Sequence, residues 1–311
     1  MRNMHTIQAH DLTREYTRDR GICGLTFTVE PGECVAVLGR NGSGKSTLSR
    51  LILGLEKPTS GSISMLGQES SRASQAVIKR LGVVLDTSTH WEHLSGWDNA
   101  YFYARSYRIP PAKAEPRLRN LFKLAALHDH ASDPVKTYSF GMRRKLSVIL
   151  ALLHNPELLV LDEPTMGIDA HFLLSLSEIV RQRTAKGQTT WICGNEPDWI
   201  AALATRVFFI EAGRIIADGS VEALLDDVAA FQSVKVELVH STKISPPDNT
   251  AVRSFDQSGS KITALLEPDP QLIPEIMREI ISQDGIIHKL EVRQSSLRDA
   301  FLMKTGQELE E

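Results

Sequence analysis

The string Gly39-Arg-Asn-Gly-Ser-Gly-Lys-Ser-Thr47 constrains this chain more than any other. It fits G-x-x-x-x-G-K-[ST], with the apolar run Cys34-Val-Ala-Val-Leu38 before it and a helical pattern after it. A buried strand that turns through such a loop straight into a helix calls for an α/β architecture. Gly39, Gly42 and Gly44 let the backbone curl, so that consecutive N–H groups along the loop, Asn41 and Ser43 included, point at a phosphate. The dipole of the helix opening at Lys45 adds to that attraction. Lys45 is placed to reach the β- and γ-phosphates, Ser46 to offer its hydroxyl to Mg²⁺, and Thr47 to contact the α-phosphate side. The ligand expected is a nucleoside triphosphate.

Three further runs, Leu81-Gly-Val-Val-Leu85, Leu158-Leu-Val-Leu161 and Thr189-Thr-Trp-Ile-Cys193, are apolar enough to be buried on both faces, as in a parallel sheet covered by helices. The second of them ends in Asp162-Glu163-Pro164. Two acids at the C-terminal edge of such a strand lie where α/β proteins bind ligands. Asp162 is expected to hold Mg²⁺ through water, and Glu163 to act as general base on the attacking water.

Composition narrows the setting. With 311 residues, 42% of them hydrophobic, the chain can bury a sizeable core. A net charge of -3 argues against a generic polyanion binder, so no nucleic-acid partner is expected and phosphate must be held locally. Cys23, Cys34 and Cys193 are too few and too scattered for a disulfide framework or a zinc site, which suits a reducing cytosol. No stretch reaches ~18 uninterrupted apolar residues, and the first residues lack the apolar core of a secretory signal. Work at a membrane would therefore need partner chains.

The pattern divides the chain at 231. Residues 1–231 alternate strand and helix signals around a helical insertion over 87–136, which carries Trp91, Trp97, Tyr101, Phe102, Tyr103 and Tyr107. Most of these aromatics are expected in the core of a small helical unit. Residues 232–311 read as a small α+β domain with strands at 234–239, 261–266 and 286–292, helices at 271–283 and 296–304, and a loop at Ser245-Pro-Pro-Asp-Asn-Thr250. That region is acidic, with nine Lys and Arg against thirteen Asp and Glu. Leu94-Ser-Gly-Trp-Asp98 is read as a capping box, Ser95 with Asp98, opening a helix.

Tyr138-Ser-Phe-Gly-Met142, opening a helix just ahead of the acidic strand, resembles the signature motif of ATP-binding cassette (ABC) ATPases. The resemblance covers about residues 6–225 and implies a P-loop cassette with a helical subdomain at about 87–157, which receives the coupling helices of membrane subunits. It implies ATP with Mg²⁺, and two such domains closing head to tail, Ser139 and Gly141 of one contacting the γ-phosphate held by the other. Thr165-Met-Gly-Ile-Asp169 resembles the D-loop, so Asp169 would couple the two sites, and Tyr16 stands where the family places its adenine-stacking aromatic. The closing segment Ser296 to Gly306 is similar to the end of the C-terminal domain on ATPase subunits of ABC-2-type exporters. That subtype implies transmembrane permease partners, a second copy or a homologous ATPase subunit, and a place at the cytoplasmic face of the cell membrane.

The chain departs from the family pattern at three positions. The first central glycine of the signature is Phe140. The Q-loop glutamine is replaced by Asp86, which can coordinate Mg²⁺ but adds negative charge and donates no hydrogen bond when ionised. The switch histidine is replaced by Asn195, which can hydrogen-bond a γ-phosphate but carries no proton. Slow hydrolysis is expected. The alternative is an ATP-binding regulatory or sensing module with little turnover; intact Lys45, Ser46, Asp162 and Glu163 favour the enzyme.

Overall fold

The computed structural model of the protein describes residues 5–17, 20–85, 90–229, 231–246, 249, 251–267, 269, 271–307 and 309. The chain opens with β1 (Ile7–Thr17) and β2 (Arg20–Val29), paired antiparallel, followed by β3 (Cys34–Leu38) and α1 (Lys45–Ile52). β4 (Ser60–Met65) and β5 (Gln68–Glu69) complete a four-stranded sheet in the order β2-β1-β4-β5. On β2, Leu25, Phe27 and Val29 are buried while Thr26 and Thr28 are not, the one-sided burial of an antiparallel sheet.

The helical insertion lies between α2 (Gln75–Ile78) with β6 (Leu81–Val84) and β7 (Leu158–Asp162); it holds α3 (Gly96–Ser106), α4 (Pro111–Leu124) and α5 (Phe140–Leu152). After it come α6 (Ala170–Ala185), β8 (Thr189–Gly194), α7 (Pro197–Ala201), β9 (Arg206–Glu211) and β10 (Arg214–Gly219). These build a six-stranded sheet in the order β10-β9-β3-β8-β7-β6, in which β3, β6, β7, β8 and β9 run parallel. Every residue of β3, β7 and β8 is buried, as the apolar runs require.

Ser95 caps α3 as expected, its hydroxyl accepting from the Asp98 N–H at 3.0 Å. None of the six aromatics from Trp91 to Tyr107, most of them expected in the core of the insertion, is fully buried: Trp97, Tyr101, Tyr103 and Tyr107 are half-buried, and it is Phe122, beside Trp97, that fills the interior. Gly96, Asn99, Ala100 and Ala104 make the buried stripe of α3, small residues that let the helix lie close to its neighbours. Two of the rings are displaced outward. Trp91 and Phe102 are 44% and 49% exposed and meet edge to face, with centroids 4.4 Å apart.

The chain forms two compact units: residues 1–196 with 203–215, and residues 197–202 with 216–311. The division thus falls earlier than the expected 231, because α10 (Leu297–Thr305) packs against α7 and against α8 (Val221–Asp226) and draws both into the second unit. That unit contains β11 (Gln232–Leu238), β12 (Val252–Ser258), β13 (Lys261–Leu266) and β14 (Ile287–Gln294) in the order β12-β13-β11-β14, with α9 (Leu272–Ser282) beside them. β12 has no counterpart in the sequence reading, since Val-Arg-Ser-Phe-Asp-Gln-Ser lacks the apolar alternation of a strand. It is an edge strand, where polar residues on both faces are tolerated. No helix among the described residues is long and apolar enough to cross a membrane.

Candidate functional site

The phosphate loop is shaped by close backbone approaches. A Cβ on Gly39 would stand 2.3 Å from the Ile210 carbonyl oxygen, and one on Gly44 2.8 Å from the Ile22 side chain, so neither position accepts a side chain. Gly44, at φ 111°, caps α1, and Gly42 turns the loop at φ 81°. Both lie in the region that favours glycine. Lys45 is 5% exposed, and its ammonium donates to the Gly39 and Arg40 carbonyls at 2.6 and 3.1 Å. Its charge is thus held inside the loop that it closes. Ser43 is buried with it, and Thr47 follows Ser46 on the first turn of α1.

β3 and β7 flank β8 in the sheet, which brings the two halves of the site to one edge. Ser46 Oγ donates to Asp162 Oδ1 at 3.3 Å, and Asp162 is fully buried. Two hard oxygen donors at this separation suit a divalent ion that draws the rest of its shell from water and phosphate. Among the described residues, no group of three or more His, Cys, Asp or Glu could hold a metal without such help.

Glu163 has φ +48°, and its N–H donates to the Cys193 carbonyl at 2.8 Å. Burial pushes its carboxyl above the usual range; Lys45 and Arg144 pull the other way, while Asp162 and Glu196 reinforce the rise. A base of raised proton affinity is better matched to neutral pH. Its Oε2 lies 3.8 Å from where a Cβ on Gly194 would stand, next in the chain to Asn195. Asn195 Nδ2 donates to Asn41 Oδ1 at 3.1 Å, so the switch position touches the phosphate loop directly. The Asn195 Oδ1 atom is buried without a hydrogen-bond partner among the described residues.

The remaining motifs surround this centre unevenly. Tyr16 lies on the β1–β2 hairpin, where Glu15 pairs with Gly21, and the Gly21 carbonyl is 3.2 Å from a Cβ built on Gly44. Gly21 therefore lies beside the loop. The Tyr16 ring is 46% exposed, its hydroxyl bonds Glu56, and the Arg14 guanidinium stands 4.9 Å from its centroid. Ser139 caps α5 by accepting from the Met142 N–H at 3.2 Å, which leaves its hydroxyl proton available to a ligand. Gly141 lies against the D-loop segment: a Cβ there would come within 2.1 Å of the Gly167 carbonyl oxygen. Asp169 caps α6 and pairs with Lys145 at 2.5 Å, and this bond holds its carboxyl below the usual range. Asp86 lies outside the described residues.

A family model described as ABC transporter matches residues 22–166, spanning the phosphate loop, the signature and the acidic strand. Over 305 residues the chain is 30% identical to the Nod factor export ATP-binding protein I of Rhizobium meliloti (strain 1021), covering 98% of this chain and 89% of that one. The chain belongs to the ABC transporter ATPase family. The Nod factor export ATP-binding protein I of Rhizobium sp. (strain N33) is 31% identical to this ABC ATPase over 287 residues, with 92% of each chain covered. Among solved structures, one described as the ATP-binding subunit of an ABC transporter is 27% identical over 71% of this chain and 92% of its own, with a TM-score of 0.67. A dimeric ATP-binding cassette holding ADP and Pi shares the fold at a TM-score of 0.62 and 19% identity, covering 69% of this chain and 98% of that one. Membership of this family makes the chain an ATPase. Sequence reasoning missed Arg144, Asn41 as the partner of Asn195, and Arg14 beside Tyr16; only Arg144, an Arg in an otherwise buried helical register, left a signal.

Proposed function

We propose that the chain is the ATPase subunit of an ABC-2-type exporter. In this reading two copies, or one copy and a homologous ATPase subunit, close head to tail over two ATP molecules and drive separate transmembrane permease subunits from the cytoplasmic face of the membrane. The observation that carries the reading is the convergence of Lys45, Ser46, Asp162, Glu163 and Asn195 on one sheet edge, in a chain whose relatives are named as export ATPases over nearly its whole length. Tyr16 stacks on the adenine, while Gly39, Asn41, Gly42, Ser43, Gly44, Lys45 and Thr47 hold the phosphates. Ser139 and Gly141 reach the γ-phosphate held by the other copy, and Asp169 couples the two sites.

Ser46 and Asp162, with Asp86 as a third donor, would hold Mg²⁺, and the Ser46–Asp162 pair fits it. When bound, the ion neutralises phosphate charge. Glu163 polarises the attacking water, helped by the burial that raises its proton affinity. Asn195 orients by hydrogen bonding and supplies no positive charge, so turnover is slow. The exposed Trp91–Phe102 pair supplies an apolar surface for a coupling helix of the permease, and the second unit, residues 197–202 with 216–311, serves as an accessory domain.

Co-purification from membranes followed by steady-state ATPase assay tests the reading, with Glu163→Gln as the control. The expected result is a membrane partner, together with activity that the substitution removes. Equal inactivity of both forms, with and without that partner, would sink the enzyme reading in favour of a sensing module.

A further inference from the structure

Arg144 lies in the second turn of α5, and only 2% of its surface is exposed. Its guanidinium donates to three backbone carbonyls: Nη1 to Leu85, and Nη2 to Asp162 and to Glu163, the last at 2.6 Å. Leu85 follows the last residue of β6, and Asp162 ends and Glu163 follows β7, its neighbour in the sheet. A rigid planar fork with donors on both arms can span two adjacent strand ends, which a flexible ammonium cannot. Beyond residues 86–89 the chain returns to the same helix. His90 Nε2 lies 3.1 Å from the Arg143 carbonyl oxygen and 3.1 Å from Ser147 Oγ. The helix whose first turn carries the signature residues therefore holds the chain at Leu85, at His90 and beneath Glu163.

Glu163 needs such a hold. At φ +48° a residue with a side chain persists only where its surroundings impose the conformation. β8 fixes its N–H through the Cys193 carbonyl, and Arg144 fixes its carbonyl, so the backbone on both sides of the Glu163 side chain is tied to named partners. We propose that Arg144 is a positioning residue that fixes the Glu163 backbone, so that the carboxylate faces the phosphate loop, and that transmits displacement of the signature helix to that carboxylate. The inference rests on ATP hydrolysis and is independent of what the protein exports.

The test compares the full chain with Arg144→Met, Arg144→Lys and Arg144→Gln for kcat, for KM with MgATP, and for binding of a fluorescent ATP analogue. Arg144→Met is expected to lower kcat about ten- to a hundredfold, the scale of an ångström-sized misplacement, with nucleotide affinity held within about twofold because the loop is untouched. Arg144→Lys, which reaches one carbonyl at a time, should recover part of kcat. A merely structural role would instead lower kcat and the number of titratable nucleotide sites together. Wild-type kcat in a folded Arg144→Met protein overturns the proposal, as does a parallel loss of kcat and affinity. If Arg144→Met does not fold, the Lys and Gln variants decide: wild-type kcat in both overturns it, and graded loss at unchanged affinity supports it.

Discussion

Gly141→Ala isolates the contact between the signature helix and the D-loop segment. The added Cβ would stand 2.1 Å from the Gly167 carbonyl oxygen, a backbone atom that cannot rotate away. A tolerable carbon–oxygen contact needs about 3.3 Å, so the first turn of α5 and the segment at Gly167 must separate by roughly 1.2 Å. Overpacking of this kind costs about 1–3 kcal/mol, which lowers the melting temperature of a unit this size by roughly 2–12 °C. The larger effect falls on function, because the same displacement moves Ser139 on one side and Asp169 on the other. A misplacement of about 1 Å lowers turnover by about a hundredfold. The phosphate loop belongs to β3 and α1, which the contact does not touch, so ATP affinity should stay within about twofold.

Three measurements read this out: steady-state ATPase activity, titration with a fluorescent ATP analogue, and thermal unfolding with and without MgATP. Gly167→Ala is the contrast. Its Cβ would meet Phe140 Cδ1 at 2.5 Å, but that ring is half exposed and can swing aside at a cost below about 1 kcal/mol; the larger part is the left-handed backbone, at about 1–2 kcal/mol. Turnover of Gly141→Ala within twofold of wild type would refute the packing argument. So would equal losses of turnover and of affinity.

Other substitutions probe the remaining contacts. Asn195→His should raise turnover if its ring keeps the reach to Asn41, and unchanged turnover at unchanged ATP affinity would show that position 195 is not limiting. Lys45→Ala should abolish the thermal stabilisation by MgATP, which is about 2.7 kcal/mol at a hundredfold excess over Kd; a persisting shift would overturn the role given to the loop. Burial holds the His154 imidazole down to about 4, with Nε2 2.8 Å from the Leu81 carbonyl oxygen and Tyr107 stacked on the ring. Its folded-state pKa lies below the ordinary 6.5, so between pH 6.5 and 4 the unfolded chain takes up a proton that the folded chain refuses, and stability falls as pH falls. Allowing for partial exposure, the loss is roughly 1 kcal/mol per pH unit, and denaturant melts of His154→Gln should show a shallower acid slope.

The elements legible in the sequence are those whose physics is local. Cys34–Leu38, Leu158–Asp162 and Thr189–Gly194 are buried on both faces and so read as unbroken apolar runs. The strands Ile7–Thr17 and Arg20–Val29 bury one face only and carry a bulge near Asp11, at φ 45°, which breaks their alternation. The aromatics of the insertion misled for a different reason. Hydrophobicity alone pointed them inward, whereas close helix packing selected Ala100 and Ala104 for the buried stripe and left Trp91 and Phe102 outside. Within the site, Lys45, Ser46, Asp162 and Glu163 were legible because spacing fixes them on strand ends and loop. Arg144 left only the trace of a charge in an apolar helical register, and its role was not legible, because its acceptors are main-chain carbonyls, which carry no sequence identity.

The same distinction explains how the chain departs from its family pattern without losing the site. Phe140 occupies a position where the signature usually has glycine, and its ring lies over Gly167, the one residue of that segment without a side chain to obstruct it. Asn195 gives up the protonatable ring of a histidine yet still reaches the loop, because Asn41 offers an amide oxygen at 3.1 Å. Each departure is absorbed by a partner that is small or polar in the right place, so the two substitutions are coupled to Gly167 and Asn41. Double-mutant cycles make that coupling measurable. Phe140→Gly should remove the steric part of the Gly167→Ala penalty and leave the backbone part, so the pair should be less than additive by about 0.5–1 kcal/mol in thermal or denaturant unfolding. Additive losses would mean that the ring and the glycine do not share their space.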